Sequence, residues 1–376
     1  MAKNDNLHKA KDAKNDEFYT RIEDVAEELR HYKKHFAGKV VLCNCDDPTW
    51  SAFWRYFHLN FAELGLKKLI STHYDRTEPT YKMEYEGGDD NNVEVGVKTP
   101  LEGNGDFRNR ECLDLLDESD IVVTNPPFSL FREYVAVLMK HQKKFLILGN
   151  MNALTYKEIF PLVRDNQLWY GASIHSGDRK FYVPNDYPLK ASGCGVDNNG
   201  QKFIRVKGVR WYTNLDYKAR HEKLVLWKNY TPEEYPKYDN YDAINVNKYS
   251  EIPCDYDGVM GVPITFIDYY CPEQFEIVAF RKGNDGKDLV FTREREREFN
   301  RTFVSLYDID SWDDKKRRRQ NQWKAYLREN NNQTEIEAVD YFYPLSIKSR
   351  AAGTMNGLIN GKKKYRRILI CKKAGT

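Results

Sequence analysis

The sequence predicts an α/β protein whose first part is a doubly wound parallel sheet, and three observations carry that prediction. Short apolar runs of strand length alternate with amphipathic stretches of helical period between about residues 20 and 148. The runs are unbroken rather than alternating, as strands covered on both faces are. The chain has 376 residues, enough for two domains, and is 41% hydrophobic, which places it among folded proteins.

Thr20 and Glu23 stand at capping-box spacing, and Ile22, Val25, Ala26, Leu29, Tyr32 and Phe36 follow at helical period. The first helix is therefore expected to end at Gly38. KVVLC (39–43) reads as a buried strand. The polar turn Asn44-Cys45-Asp46-Asp47-Pro48 leads into a second helix bearing Trp50, Phe53, Trp54, Phe57 and Phe61, with Pro48 suited to its first position. After a strand at 68–72, about thirty Gly-, Asp- and Asn-rich residues are expected to run over the surface. Helix 111–116, strand 120–124, helix 130–139 and strand 144–148 complete the alternation. Beyond Trp169 come punctuated strand-like runs at 180–183, 202–206 and 209–213. A Tyr/Asn/Pro-rich stretch from about Asn229 precedes a basic tail, so the expected domains are 1–228 and 229–376.

No apolar run approaches the roughly 18 residues of a membrane span, and the first residues are too polar for a secretory signal, so no membrane partner is expected. Seven cysteines, with a single C-x-C at Cys43 and Cys45, suit neither a disulfide framework nor a metal site. Reduced thiols in a cytoplasmic protein are expected. The net charge of +3 is unevenly spread. From Arg281 onward 23 Lys and Arg face 13 Asp and Glu, which leaves residues 1–280 net acidic and points to a polyanion partner for the tail.

The most specific signal is Asn125-Pro126-Pro127-Phe128, at the end of the strand DIVVT. Ligands of doubly wound sheets sit outside the carboxyl ends of the strands. Two prolines fix the backbone and remove two donors, which makes the loop a rigid set of acceptors. The Asn125 side-chain oxygen and the Pro126 carbonyl can accept both hydrogens of an exocyclic amino group and free its lone pair to attack a methyl cation equivalent. Phe128 offers a flat face for stacking an extruded base. An ordinary strand-ending turn is the other reading of these four residues.

Asn-Pro-Pro-Phe resembles the catalytic motif of amino-group DNA methyltransferases. Longer strings, KNDEFYT (14–20), VVLCNCDDP (40–48), GDFR (105–108), DIVVTNPPFSLFREY (120–134), YPKYDNYDAINVNK (235–248) and DGVMGVPITF (257–266), resemble the EcoRI-type adenine-specific DNA methyltransferase family. The resemblance implies a Rossmann-like methyltransferase sheet with a C-terminal target-recognition region. It implies methyl transfer from S-adenosylmethionine to the 6-amino group of adenine in double-stranded DNA after base flipping. A cognate restriction endonuclease is a candidate partner, and no obligatory protein partner is evident.

The glycine-rich turn that many methyltransferases place after their first strand is missing; residues 44–48 stand there. The resemblance implies that Asn44, Asp46 and Asp47 hold the methionine or ribose part of the cofactor, although the two aspartates could equally cap the following helix. It implies that Asp106 accepts from the cofactor's adenine amino group while Phe107 packs on the ring; a turn aspartate beside a core phenylalanine is the alternative. Phe18, Tyr19 and Thr20 match a segment that closes over the methionine end, or else Phe18 and Tyr19 staple the first helix.

Other functions stay open at this level: a catalytically silent DNA-binding module, or an enzyme acting on cytosine, RNA or protein. Residues at about 288–355 have no counterpart in the family and are expected to be an insertion. Within it Lys315, Lys316, Arg317, Arg318 and Arg319 form an unbroken cationic run suited to DNA phosphates, with a surface loop as the alternative.

Overall fold

A computed structural model describes residues 19–280, apart from 46, 76–77, 186, 190–192 and 239–242, together with 358–359, 362–363, 365 and 367–375. The chain divides into two compact units, Met1–Arg220 and His221–Thr376.

The first unit contains, in order, α1 (Ile22–Leu29), β1 (Val40–Cys43), α2 (Ala52–Leu59), α3 (Phe61–Leu64), β2 (Lys68–Thr72), β3 (Tyr81–Tyr85) and β4 (Val97–Pro100). There follow α4 (Arg110–Glu118), β5 (Ile121–Thr124), α5 (Phe131–Lys140), β6 (Lys144–Asn150), α6 (Phe160–Arg164), β7 (Trp169–Tyr170), β8 (Asp178–Tyr182), β9 (Gly195–Val196), β10 (Lys202–Lys207) and β11 (Val209–Thr213). Eight strands form one sheet in the order β4-β3-β2-β1-β5-β6-β11-β7. Its centre, β2-β1-β5-β6, is parallel. Strands β8, β10 and β9 make a separate antiparallel sheet.

The unbroken apolar runs predicted as buried strands are buried on both sides: every residue of β1 and β5 is inaccessible. Val41, Cys43, Leu69, Val123, Leu146 and Leu148 share one cluster with Val25, Leu29, Phe53, Trp54 and Phe57 of α1 and α2. The intervening Leu42, Val122 and Ile147 are equally buried and, by the two-residue period of a strand, face the other way. There α5 packs, with Phe131 against Gly149 and its ring 4.9 Å from that of Tyr212. A Cβ on Gly149 would stand 2.5 Å from the Phe131 ring, so only glycine admits this approach. Helices thus cover both faces, and each buried aromatic contributes about 2–3 kcal/mol of burial free energy.

Several expectations are corrected. The sheet is mixed, because β3, β4, β11 and β7 extend its two edges antiparallel. Residues 73–105 are more than a surface excursion: β3 and β4 within them form a hairpin on β2, with Tyr81, Met83 and Tyr85 buried at alternate positions. Helix α1 stops at Leu29, ahead of a 3-10 turn at Lys33–His35, and its N-cap is Arg21. No capping box forms, since the Thr20 hydroxyl is buried without a partner. Pro48 precedes α2 by four residues; the cap there is Ser51, whose oxygen accepts from the Phe53 and Trp54 amides at 3.1 and 3.2 Å.

The second unit holds β12 (Ile244–Asn245), β13 (Met260–Val262), β14 (Phe275–Phe280), β15 (Leu358–Ile359), β16 (Lys362–Lys363) and β17 (Ile368–Lys372). Four of these form a sheet in the order β12-β13-β17-β14, and β15 and β16 pair as a short hairpin. The end of the chain therefore supplies an inner strand, with Phe280 directly opposite Ile368.

Candidate active site

Because β1, β2, β5 and β6 are parallel, their carboxyl ends, Cys43, Thr72, Thr124 and Asn150, lie along one edge of the sheet. Asn125 and Pro126 follow β5 directly and are buried, while Pro127 and Phe128 are half-buried. The chain then turns through Phe128–Leu130, with the Leu130 amide on the Pro127 carbonyl at 2.9 Å, and enters α5. The Phe128 ring meets Phe181 of β8 edge-on, centroids 6.5 Å apart.

The loop after β1 is tied to this one. The Thr124 hydroxyl donates to the Asn44 carbonyl, and the Tyr134 hydroxyl of α5 donates to the Asn44 side-chain oxygen. Asn44 and Tyr134 are both buried. Asp47 does not cap α2. Its carboxylate accepts from the Thr49 amide and hydroxyl at 2.9 and 2.8 Å and from the Tyr81 hydroxyl at 2.7 Å, with His73 Nε2 3.6 Å away. Burial works against its charge, but the Thr49, Tyr81 and His73 contacts outweigh it and hold the acid below its ordinary range. Asp46 lies outside the described residues.

Gly105 carries the 103–109 loop across the end of β2. It stands at φ +73°, and a Cβ there would meet the His73 carbonyl oxygen at 2.1 Å. This sets Phe107, nearly inaccessible, edge-on to Tyr134 with centroids 4.9 Å apart. Asp106 is engaged by its neighbour: Arg108 Nε and Nη2 donate to its two oxygens at 2.9 and 2.7 Å. That fork keeps its carboxyl low despite partial burial. Arg108 reaches on to Glu133 of α5 at 2.9 Å.

Tyr19 forms an antiparallel bridge with Tyr182 of β8, and its ring packs edge-on against Trp50 of the loop before α2. Tyr19 and Phe128 thus touch adjacent residues of one strand. Phe18 and Lys315, Lys316, Arg317, Arg318 and Arg319 lie outside the described residues. The structure brings Asn44 and Phe107 onto Tyr134, ties Thr124, the residue before Asn125, to the Asn44 carbonyl, and sets Asp47 among Thr49, His73 and Tyr81. Tyr81, Tyr134 and Arg108 went unnoticed in the sequence; only the D-x-R spacing of Asp106 and Arg108 offered a local signal.

Among the described residues no group of three or more His, Cys, Asp or Glu could hold a metal, and no helix is long and apolar enough to cross a membrane. No disulfide links cysteines among the described residues.

A sheet with a parallel centre, whose loops after β1 and β5 are hydrogen-bonded to each other, is consistent with a methyltransferase fold. The chain belongs to the family described as adenine-specific methyltransferase EcoRI, which it matches over residues 6–373, and it is an adenine-specific DNA methyltransferase. It is similar to Type II methyltransferase M.EcoRI of Escherichia coli, 50% identical over 303 residues that cover 77% of this chain and 93% of that protein. Type II methyltransferase M.MpnI of Mycoplasma pneumoniae is 44% identical over 276 residues, 72% of this chain and 84% of its own length. Type II methyltransferase M.MgeORF184P of Mycoplasma genitalium is 42% identical over 278 residues, 72% and 85% of the two chains. No solved structure matches the chain.

Proposed function

We propose that the protein transfers the methyl group of S-adenosylmethionine to the 6-amino group of an adenine turned out of duplex DNA. The observation that carries this reading is the buried Asn125-Pro126 pair at the end of β5, hydrogen-bonded through Thr124 to the loop after β1. Asn125 and the Pro126 carbonyl accept the two amino hydrogens, which draws the nitrogen lone pair out of conjugation and stabilises the positive charge that builds on nitrogen. Phe128 stacks on the extruded ring. S-adenosylmethionine supplies the electrophilic methyl group when bound.

The residues present suit that cofactor. Asp47 and Asn44 offer acceptors for its ammonium and hydroxyls, Phe107 offers an apolar edge for its base, and the fully buried Thr72 hydroxyl at the end of β2 has no partner among the described residues. Tyr19 and Thr20 lead in from the N-terminal side, with Phe18 before them. Asp106 serves through the Arg108 fork that fixes it. The second part of the chain, from about residue 229, reads the target sequence, and Lys315, Lys316, Arg317, Arg318 and Arg319 neutralise backbone phosphates. The protein works in the cytoplasm, where a cognate restriction endonuclease is the natural counterpart.

Transfer of a radiolabelled methyl group from S-adenosylmethionine to duplex DNA, RNA and protein, with nucleoside analysis of the product, tests the reading. N6-methyladenine in duplex DNA is expected. Label in cytosine, RNA or protein, or DNA binding without any transfer, would overturn it.

A further inference from the structure

The loop after β1 has no glycine between residues 44 and 51, yet it turns sharply: Cys45 stands at φ +66°. Side chains other than glycine rarely adopt that left-handed conformation, and it persists only where the surroundings impose it. The surroundings here include two tyrosines from distant parts of the chain. Tyr134 lies on α5, beyond β5, and its hydroxyl donates to the Asn44 side-chain oxygen. Tyr81 lies on β3, in the edge hairpin beyond β2, and its hydroxyl donates to Asp47 at 2.7 Å. The loop is therefore gripped from both flanks of β1, with Tyr134 on Asn44 and Tyr81 on Asp47. Tyr81 is itself held, with Lys98 Nζ of β4 at 3.6 Å from its ring centroid.

We propose that Tyr81 and Tyr134 are positioning residues for the cofactor, whose hydroxyls hold Asn44 and Asp47 of the glycine-free turn after β1 in their binding positions. Side-chain hydrogen bonds then do what the freedom of a glycine-rich turn does in other methyltransferases. A loop fixed in advance binds without the entropic cost of being ordered by its ligand. It also gives the antiparallel β3–β4 hairpin a role on this side, since Tyr81 of β3 reaches Asp47 beside His73. The inference rests on the assignment of this loop to S-adenosylmethionine.

The test measures the dissociation constant of S-adenosylhomocysteine by titration calorimetry on the full chain, with the melting temperature of the ligand-free protein as a second readout. Tyr81→Phe and Tyr134→Phe each remove one hydroxyl and keep the ring. Each is expected to weaken binding about five- to twentyfold, the scale of one lost hydrogen bond in a binding loop. Tyr85→Phe is the control: it sits four residues further along β3 and donates to Asp90 at 2.6 Å, away from the loop. It should bind within about twofold of the parent even if it melts lower. Unchanged affinity in both tyrosine variants would overturn the proposal, and so would an equal weakening by Tyr85→Phe. Asp47→Ala separates the two levels. If it too binds normally, the cofactor assignment of the loop is wrong; if it alone weakens binding, that assignment stands and only the tyrosine proposal fails.

Discussion

Phe280 and Ile368 face each other across the antiparallel ladder of β14 and β17, although 87 residues of chain lie between them. Both ends of that stretch therefore stand side by side, where a tight turn could also join the strands. Long loops cost little more than short ones, about 0.6 kcal/mol per doubling, so extra chain is tolerated at such a place. The alignment with M.EcoRI covers 93% of that relative and 77% of this chain.

Deleting residues 290–354 is accordingly expected to leave adenine methylation largely intact at low salt. If Lys315, Lys316, Arg317, Arg318 and Arg319 contact phosphates, the slope of log K against log salt should flatten by about two to four units, each contact being worth about 0.9. Fluorescence anisotropy across a salt series reads the slope, and an unchanged value would assign the insertion to another role.

Replacement of Asn125 by Ala should lower kcat by about 10²–10³, the usual size for one acceptor or donor acting on developing charge, and leave S-adenosylhomocysteine binding near normal. Turnover within a few-fold of the parent protein would remove Asn125 from the chemistry.

Phe128→Ala should weaken capture of the extruded base by about 1–3 kcal/mol, and Phe128→Trp much less. The edge contact with Phe181 is a packing interaction that both variants perturb, so affinity alone does not isolate stacking. A 2-aminopurine at the target position does: it should brighten on binding the parent protein and far less on binding the alanine variant.

Asp47 gives a pH dependence with a definite sign. Its carboxyl is held below the ordinary value of 3.8, so its ionised form is worth more folded than unfolded. That contribution is fully present above 3.8 and is lost as the pH falls through the lowered value. The difference in melting temperature between the parent and Asp47→Asn should therefore shrink as the medium is made more acid than the ordinary carboxylate range. A difference that grew on acidification would contradict the assigned contacts.

Glu28 is a structural counterpart. Fully buried on α1, it accepts from the Tyr32 hydroxyl at 2.8 Å and from the Ala172 and Ser173 amides at 2.7 Å each. Glu28→Ala leaves the buried Tyr32 hydroxyl and the part-buried Ala172 and Ser173 amides without their acceptor, so a stability loss of about 3 kcal/mol is expected by urea denaturation, at about 1 kcal/mol or more for each donor. Glu28→Gln keeps one oxygen and should be milder. A loss under about 1 kcal/mol for the alanine variant would show that water reaches these groups.

The parallel centre of the sheet is legible in the sequence because β1, β5 and β6 carry unbroken apolar runs, as strands covered on both faces do, and β2 falls in step with them between amphipathic stretches. The hairpin is not. In β3 the alternation of Tyr81, Met83 and Tyr85 sits inside a polar stretch, and β4 is almost wholly exposed, so no burial pattern marks it. At the site, Asn125-Pro126-Pro127-Phe128 declares itself because its chemistry is local. Tyr81 and Tyr134 do not, since their partners are 34 and 90 residues away and a lone tyrosine carries no spacing to read. The capping box at Thr20 misled because Arg21, rather than Thr20, became the cap of α1.

The way the main sheet ends has a bearing on handling the protein. One border is the four-residue β4, Val97–Pro100, carrying an exposed lysine and closing on a proline; the other is the two-residue β7. Neither gives an incoming strand a long row of open amides and carbonyls, so among the described residues this eight-stranded sheet lacks a template for edgewise aggregation. Sequence changes that lengthen β4, or replace Lys98 and Pro100 with β-branched residues, would create one, and the concentrated protein would be expected to cloud long before its fold or its site was impaired.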